Sequence, residues 1–229
     1  MITIKNLCLS YGNIEVIKDL NMQILTGTIH GLVGLNGSGK TTLLSSMYGL
    51  KAANAGTIYY CGATLKRSEI GYLETNNFFY SRITGREYLH LFRSINNNLQ
   101  GWNEIFELPL DNFIESYSTG MKKKLALLGI ILMNKPILIL DEPFNGIDLE
   151  TTQKIKLIIL ALKKKSKTII ITSHILESLT SICDSISYLK EKRVKNSFDK
   201  ENFKEIENEI FGSFNEENNN KINGLMENT

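Results

Sequence analysis

Little in this chain would brace it from outside its own core. Its 229 residues include three cysteines, Cys8, Cys61 and Cys183, which stand far apart with no CxxC pair. That spacing argues against a disulfide framework or a cysteine zinc site and fits a reducing compartment. Charge of one sign is equally scarce, since 26 basic and 24 acidic residues leave a net +2. A nucleic-acid binder needs a larger or clustered basic excess, so no nucleic-acid partner is expected. No apolar run reaches the roughly 18 residues needed to span a bilayer; the longest, near 125–132 and 137–140, are short or broken. The first residues, Met1-Ile-Thr-Ile-Lys-Asn-Leu, alternate like a strand and do not resemble a signal peptide. What remains is ordinary for a globular protein: 42% hydrophobic and 22% charged residues, with enough length for one domain or one domain with a small lobe.

Periodicity along the chain predicts alternating strands and helices. Residues 1–33 read as short strands with turns, Tyr11-Gly12-Asn13 marking one turn and Thr28–Val33 a buried strand. A helix is expected over Thr41–Gly49, and two or three short strands over 56–73. Residues 84–117 read as mainly helical, with Tyr88, Leu91, Phe92 and Ile95 at helical spacing and breaks at Asn96-Asn97-Asn98 and Leu108-Pro109. An amphipathic helix over Lys122–Asn134 precedes a continuous apolar strand, Ile137–Leu140, of the kind covered on both faces. Helix, strand and helix come next at Leu149–Lys165, Thr168–Thr172 and Ile175–Ile182. This alternation argues for a mostly parallel α/β core. Phe203, Ile206, Ile210, Phe211 and Phe214 suggest a C-terminal helix packed on the body, and the Asn- and Glu-rich 214–229 a flexible tail.

Chemistry concentrates in a few motifs. Gly34-Leu35-Asn36-Gly37-Ser38-Gly39-Lys40-Thr41 fits GxxxxGK[ST] in full, follows a strand and opens a helix. Its glycines let the backbone wrap phosphates, and the amides with the helix N-terminus attract the anion. Lys40 is placed to reach the β- and γ-phosphates, the Thr41 hydroxyl to ligate Mg²⁺, and Thr42 extends the same binding segment. Ile137–Leu140 then delivers Asp141 and Glu142 to a strand end, Asp141 to hold Mg²⁺ and Glu142 to orient or polarise an attacking water. Tyr117-Ser118-Thr119-Gly120-Met121 heads the helix that leads into this strand.

With that signature in place the sequence resembles the ABC ATPase family over roughly residues 1–195. The resemblance implies a P-loop NTPase core with a mostly parallel sheet, an N-terminal antiparallel β-subdomain and a small inserted helical subdomain at about 80–133, all within one domain over 1–213. The short separation of Lys40 and Ser118 leads us to expect a trimmed lobe or strand region. The resemblance further implies that Tyr11 stacks on adenine and that Ser118, Thr119 and Gly120 complete the ATP site of a second copy. Asp148, in Asn145-Gly146-Ile147-Asp148, would cross the dimer interface, and His174 would act as a switch near the γ-phosphate. Glu74, in Gly71-Tyr72-Leu73-Glu74, stands where most of the family carries Gln, and a carboxylate there can also ligate Mg²⁺.

In function, the resemblance implies an ATPase using ATP and Mg²⁺ and working as a head-to-tail homo- or heterodimer. The signature variant and Glu74 resemble an exporter branch that includes antibiotic and drug exporters. A separate integral-membrane subunit would supply the path, and this chain would sit on the cytoplasmic face. A soluble ABC ATPase acting on ribosomes or nucleic acid is the alternative, although such relatives typically carry two cassettes or a long coiled coil. A P-loop phosphotransferase would have no reason to carry Ser118–Gly120, Asp148 and His174 together. His30 and His90 match no motif and read as structural. Lys122–Lys124 and Lys163–Lys165 read as solvated helix faces or ends.

Overall fold

A computed structural model describes residues 1–92 and 98–226. The expectations placed on Ile95 and on Asn96-Asn97 lie outside the described residues. In chain order the elements are β1 (Ile2–Tyr11), β2 (Ile14–Ile24), β3 (Ile29–Val33), α1 (Lys40–Tyr48), β4 (Ala55–Tyr60), β5 (Ala63–Thr64), β6 (Ile70–Leu73), α2 (Gly85–His90) and α3 (Leu99–Phe106). They continue with α4 (Thr119–Leu132), β7 (Ile137–Leu140), α5 (Leu149–Lys164), β8 (Thr168–Thr172), α6 (Leu176–Thr180), β9 (Ser185–Lys190), β10 (Arg193–Asp199) and α7 (Phe203–Met226).

Two sheets result. An antiparallel sheet runs β2-β1-β4-β5, and a second runs β10-β9-β3-β8-β7-β6, parallel throughout except at β10. The strands of the parallel stretch alternate between two cores, because successive side chains of a strand point to opposite faces. On β7, Leu138 and Leu140 join the core formed with α4, α5 and the helical lobe. Ile137 and Ile139 join the core formed with α1 and the antiparallel sheet. β6 and β8 divide in the same way: Leu73, Ile169 and Ile171 fall in the first core, and Tyr72 and Ile170 in the second. Both faces are covered, as all-parallel sheets require, and the carboxyl ends of β3, β6, β7 and β8 meet at one edge.

Four features depart from the sequence reading. β1 and β2 are long strands of 10 and 11 residues. They read as shorter pieces because bulges shift the pairing, with Asn6 (φ 49°) and Asp19 (φ 46°) left-handed; the apolar beat skips from Ile2 and Ile4 to Leu7 and Leu9. α4 is not amphipathic beyond its first turns, since Leu125 to Leu132 are all buried. It lies between β6 and the helical lobe, and a helix enclosed all round loses its polar face. β9 and β10 had no counterpart in the sequence reading. α7 carries helical backbone through Met226, beyond the 214 boundary read from composition. Its start is anchored by buried Phe203, Ile206 and Ile210.

The lobe between β6 and α4 is built from short pieces. Thr84 caps α2, accepting from Glu87 N (3.2 Å), while Glu87 Oε2 accepts from Thr84 N (2.7 Å), a capping box. Tyr117 is buried and donates its hydroxyl to Pro109 O at 2.7 Å, which ties the segment before α4 to the lobe.

Close packing of α4 on β6 makes a test. A Cβ at Gly71 would stand 2.8 Å from Ile130 Cγ2 and 3.1 Å from Leu138 Cδ2. Gly71→Ala is therefore expected to lose about 1–3 kcal/mol through overpacking. The urea midpoint should fall at an unchanged slope, and an unmoved midpoint would show that α4 does not press on this strand.

Candidate functional site

The phosphate-type loop is shaped by where β3 ends and α1 begins. Gly39 is left-handed at φ 104°, and a Cβ there would come within 2.9 Å of Ile17 Cδ1 and 3.0 Å of Val16 Cγ1. A Cβ at Gly34 would lie 2.5 Å from Leu189 O, so the loop closes onto neighbouring chain too tightly for a side chain. α1 has no side-chain cap at its N-terminus, which leaves its first amides available to an anion. Lys40 is buried and donates to Gly34 O at 2.7 Å and Leu35 O at 3.3 Å. Burial lowers its ammonium pKa, while the charges of Glu142 and Asp141 raise it.

Asp141 is the centre of the site. It emerges from β7 at 1% exposure, its N–H donating to Leu73 O at 2.9 Å. Three hydroxyls donate to its carboxylate. Thr41, from α1, and Thr75, just past β6, reach Oδ2 at 2.9 and 2.8 Å, and Thr172, at the end of β8, reaches Oδ1 at 2.6 Å. A carboxylate this deep needs such donors, since an unpaired buried charge costs several kcal/mol.

Glu142 follows in a left-handed conformation (φ 54°), uncommon for a residue with a side chain. Its N–H donates to Thr172 Oγ1 at 2.9 Å. Oε2 accepts from His174 N at 3.1 Å. The His174 ring places Nε2 3.2 Å from Oε1, within ion-pair distance, and Oε1 is buried without a hydrogen bond among the described residues. Burial pushes the Glu142 carboxyl above the usual carboxylate range, with the His174 ring and backbone N–H pulling it back.

These groups share one cavity of about 400 Å³, lined by Val16, the loop from Asn36 to Thr42, Thr75, Asp141, Glu142 and His174. Larger hollows over the helical lobe and the antiparallel sheet lack this convergence. Ser38 Oγ is a second buried oxygen without a hydrogen bond among the described residues. Glu142 Oε1 and Ser38 Oγ, which make no hydrogen bond among the described residues, lie beside a hydroxyl-ringed carboxylate and a lysine and suit a hydrated polyphosphate and a hard cation bound through oxygen. Thr41 and Asp141 could hold such a cation.

Other expected site residues lie outside that cavity. Glu74 is exposed, and it is Thr75 that faces Asp141. Glu74 does not line the cavity. Tyr11 is 53% exposed, with Lys51 Nζ 4.5 Å from its ring centroid, a cation–π contact. Ser118 caps α4 by accepting from Met121 N at 3.2 Å, and it and Thr119 are exposed with Gly120 half-buried beside them. Asp148 caps α5, bonded to Thr151 N and Oγ1 at 2.7 Å each, and the Thr151 N–H holds its carboxyl below the usual range. His30 is buried as expected, with Nδ1 2.8 Å from Ser185 Oγ, and burial lowers its pKa to about 4.

Sequence reasoning missed two residues here. Thr75 lies past the end of β6, where strand period no longer fixes the direction of a side chain, so no local signal marks it. Lys123 is 7% exposed, not part of a solvated helix face. It shares a helix face with buried Leu127 and Ile130, four and seven residues on.

A parallel sheet that brings a glycine loop, a lysine-headed helix and two adjacent acids to one edge defines a P-loop nucleotide-binding fold. Residues 17–145 match the family described as ABC transporter, and the chain belongs to that family. It is 32% identical to the ABC transporter ATP-binding protein YtrB of Bacillus subtilis, over 90% of this chain and 74% of that one. It is 31% identical to the lantibiotic transport ATP-binding protein SrtF of Streptococcus pyogenes, over 85% and 89%. A solved ATP-binding subunit of an ABC transporter superposes with a TM-score of 0.82 at 27% identity, over 87% of this chain and 90% of that one.

The left-handed Gly39 generates a prediction. Gly39→Ala is expected to lose about 1–3 kcal/mol from the strained φ and to weaken nucleotide binding. Thermal melting and equilibrium binding measure the two. Retention of both would show that the loop does not need this conformation.

Proposed function

We propose that this chain is the ATP-binding and ATP-hydrolysing subunit of an ABC transporter, driving a separate membrane subunit through ATP-dependent dimerisation. The observation that carries the reading is the buried Glu142 carboxylate in the same cavity as the phosphate-type loop, Lys40 and Asp141, with Oε1 beside the His174 ring and without a hydrogen bond among the described residues. The cassette spans 1–213, with the helical lobe at about 80–133.

In this reading the amides from Gly34 to Thr42 surround the phosphates of ATP, and Lys40 exchanges its bonds to Gly34 O and Leu35 O for phosphate oxygens. Thr41 and Asp141 hold Mg²⁺, which when bound neutralises charge on the phosphates. Glu142 Oε1 accepts a hydrogen bond from the attacking water and orients it, and His174 fixes the other carboxylate oxygen through its backbone N–H. Tyr11 is assigned to adenine, which would compete with Lys51 for the ring. Ser118, Thr119 and Gly120 reach solvent at the head of α4, and the cavity does not include them. They are assigned to the ATP bound by a second copy, with Asp148 at the same interface.

No helix among the described residues is long and apolar enough to cross a membrane. A polytopic partner is therefore assigned the membrane path, with this chain peripheral on its cytoplasmic side. Export is favoured by the Tyr117–Met121 variant and by the relative named for lantibiotic transport.

Three variants test the reading. Glu142→Gln should lower turnover about a hundredfold or more while ATP still binds; a full ATPase rate would remove Glu142 from its role. Lys40→Ala should weaken ATP affinity at least about tenfold, measured by equilibrium binding. Ser118→Arg and Lys40→Ala proteins, each inactive alone, should regain ATPase activity when mixed, because a heterodimer holds one intact shared site. A mixture as inactive as its parts would refute the shared site.

A further inference from the structure

Lys123 is a buried cation whose hydrogen bonds go to two main-chain carbonyls. From the first turns of α4 its Nζ donates to Glu142 O at 2.7 Å and to Asn145 O at 3.0 Å. Placing an ammonium at 7% exposure is costly, and carbonyl acceptors offset the cost less than a carboxylate would. The two carbonyls are the ends of one tight turn, closed by Asn145 N donating to Glu142 O at 3.2 Å. Glu142, at the head of that turn, is in the strained left-handed region.

The peptide groups on either side of Glu142 are thus held from two directions. Thr172 Oγ1, on β8, accepts from its N–H, and Lys123, on α4, donates to its carbonyl. From this held backbone the Glu142 side chain lines the cavity. The helix that carries Lys123 is also the one capped by Ser118, five residues earlier. Its first turn rests on the same loop, with Gly146 O 3.6 Å from a Cβ placed at Gly120.

We propose that Lys123 is a positioning residue for hydrolysis. It holds Glu142 in its left-handed conformation and ties that conformation to the placement of the Ser118–Gly120 helix end. Contact of that end with ATP on a second copy then bears on the Glu142 of the same chain, so the two sites of a dimer are mechanically linked. This rests on the assignment of Glu142 to the attacking water.

The test compares Lys123→Met, which keeps bulk and removes the donor, with Lys123→Arg, which keeps a donor. In the full chain, Lys123→Met should lower kcat at least about tenfold with ATP affinity within about twofold. ATP should trap both Lys123→Met and Glu142→Gln as dimers. Lys123→Arg should recover most of the rate. The double variant Lys123→Met/Glu142→Gln should be no slower than Glu142→Gln alone, because a residue acting only through Glu142 has nothing further to remove. A wild-type kcat for Lys123→Met overturns the proposal. So does an equal loss of kcat and affinity, a chain that no longer folds, or a double variant slower than either single one, since each makes Lys123 a structural lysine. If Glu142→Gln itself hydrolyses at the full rate, the assignment of Glu142 fails first, and that outcome is separate from the behaviour of Lys123.

Discussion

The carboxylate of Asp141 is the constraint to which the rest of the site is fitted. It sits at 1% exposure, where a negative charge survives only if donors surround it. The three donors come from three different elements: Thr41 from α1, Thr75 from the segment after β6, and Thr172 from β8. One buried side chain therefore sets the relative height of three parallel strand ends and the start of a helix. Thr172 also passes the register along, since the hydroxyl that donates to Asp141 accepts from Glu142 N. Neighbouring residues with opposite tasks are thereby set from a single point. Asp141 accepts from three hydroxyls, while Glu142 Oε1 faces only the His174 ring and makes no hydrogen bond among the described residues.

The sheet provides the rigidity this arrangement needs. β7 contributes only four residues, yet all four are buried, two in each core. A short strand gripped on both faces has little freedom to slip, and a slip of one residue would exchange its faces. Asp141 inherits that precision one residue past the strand end. The antiparallel sheet and α1 supply one core, and α4, α5 and the helical lobe the other, so each layer that closes the sheet also carries something to its edge.

Much of this was legible from residues alone because the signals were local. The glycine loop needs a strand before it and a helix after it, and both are written in adjacent residues. Ile137–Leu140 reads as a doubly covered strand from its unbroken apolar run, and the acids come directly after it. What escaped depends on long-range geometry. The choice between Glu74 and Thr75 turns on which way a chain faces after leaving a strand, and the more chemically suggestive side chain was the exposed one. Lys123 looked like one member of a basic run, yet the neighbours that bury it are 19 and 22 residues away in sequence. α4 seemed amphipathic because its outer cover is a lobe whose packing no single segment reveals. Composition marks 214–229 as a tail, and through Met226 the backbone there continues a helix begun by Phe203, Ile206 and Ile210.

Lys40 carries a consequence for selectivity. Its ammonium is already engaged with the carbonyls of Gly34 and Leu35, so an incoming anion competes with the loop's own backbone for that cation. A small monovalent ion can replace one of those bonds and gains few amides in return. A chain of linked phosphoryl groups can occupy the amides of the helix end and reach the ammonium in the same event, through the cooperativity of several contacts on one molecule. On the proposed role, a loop built this way would favour a multidentate guest over a simple anion.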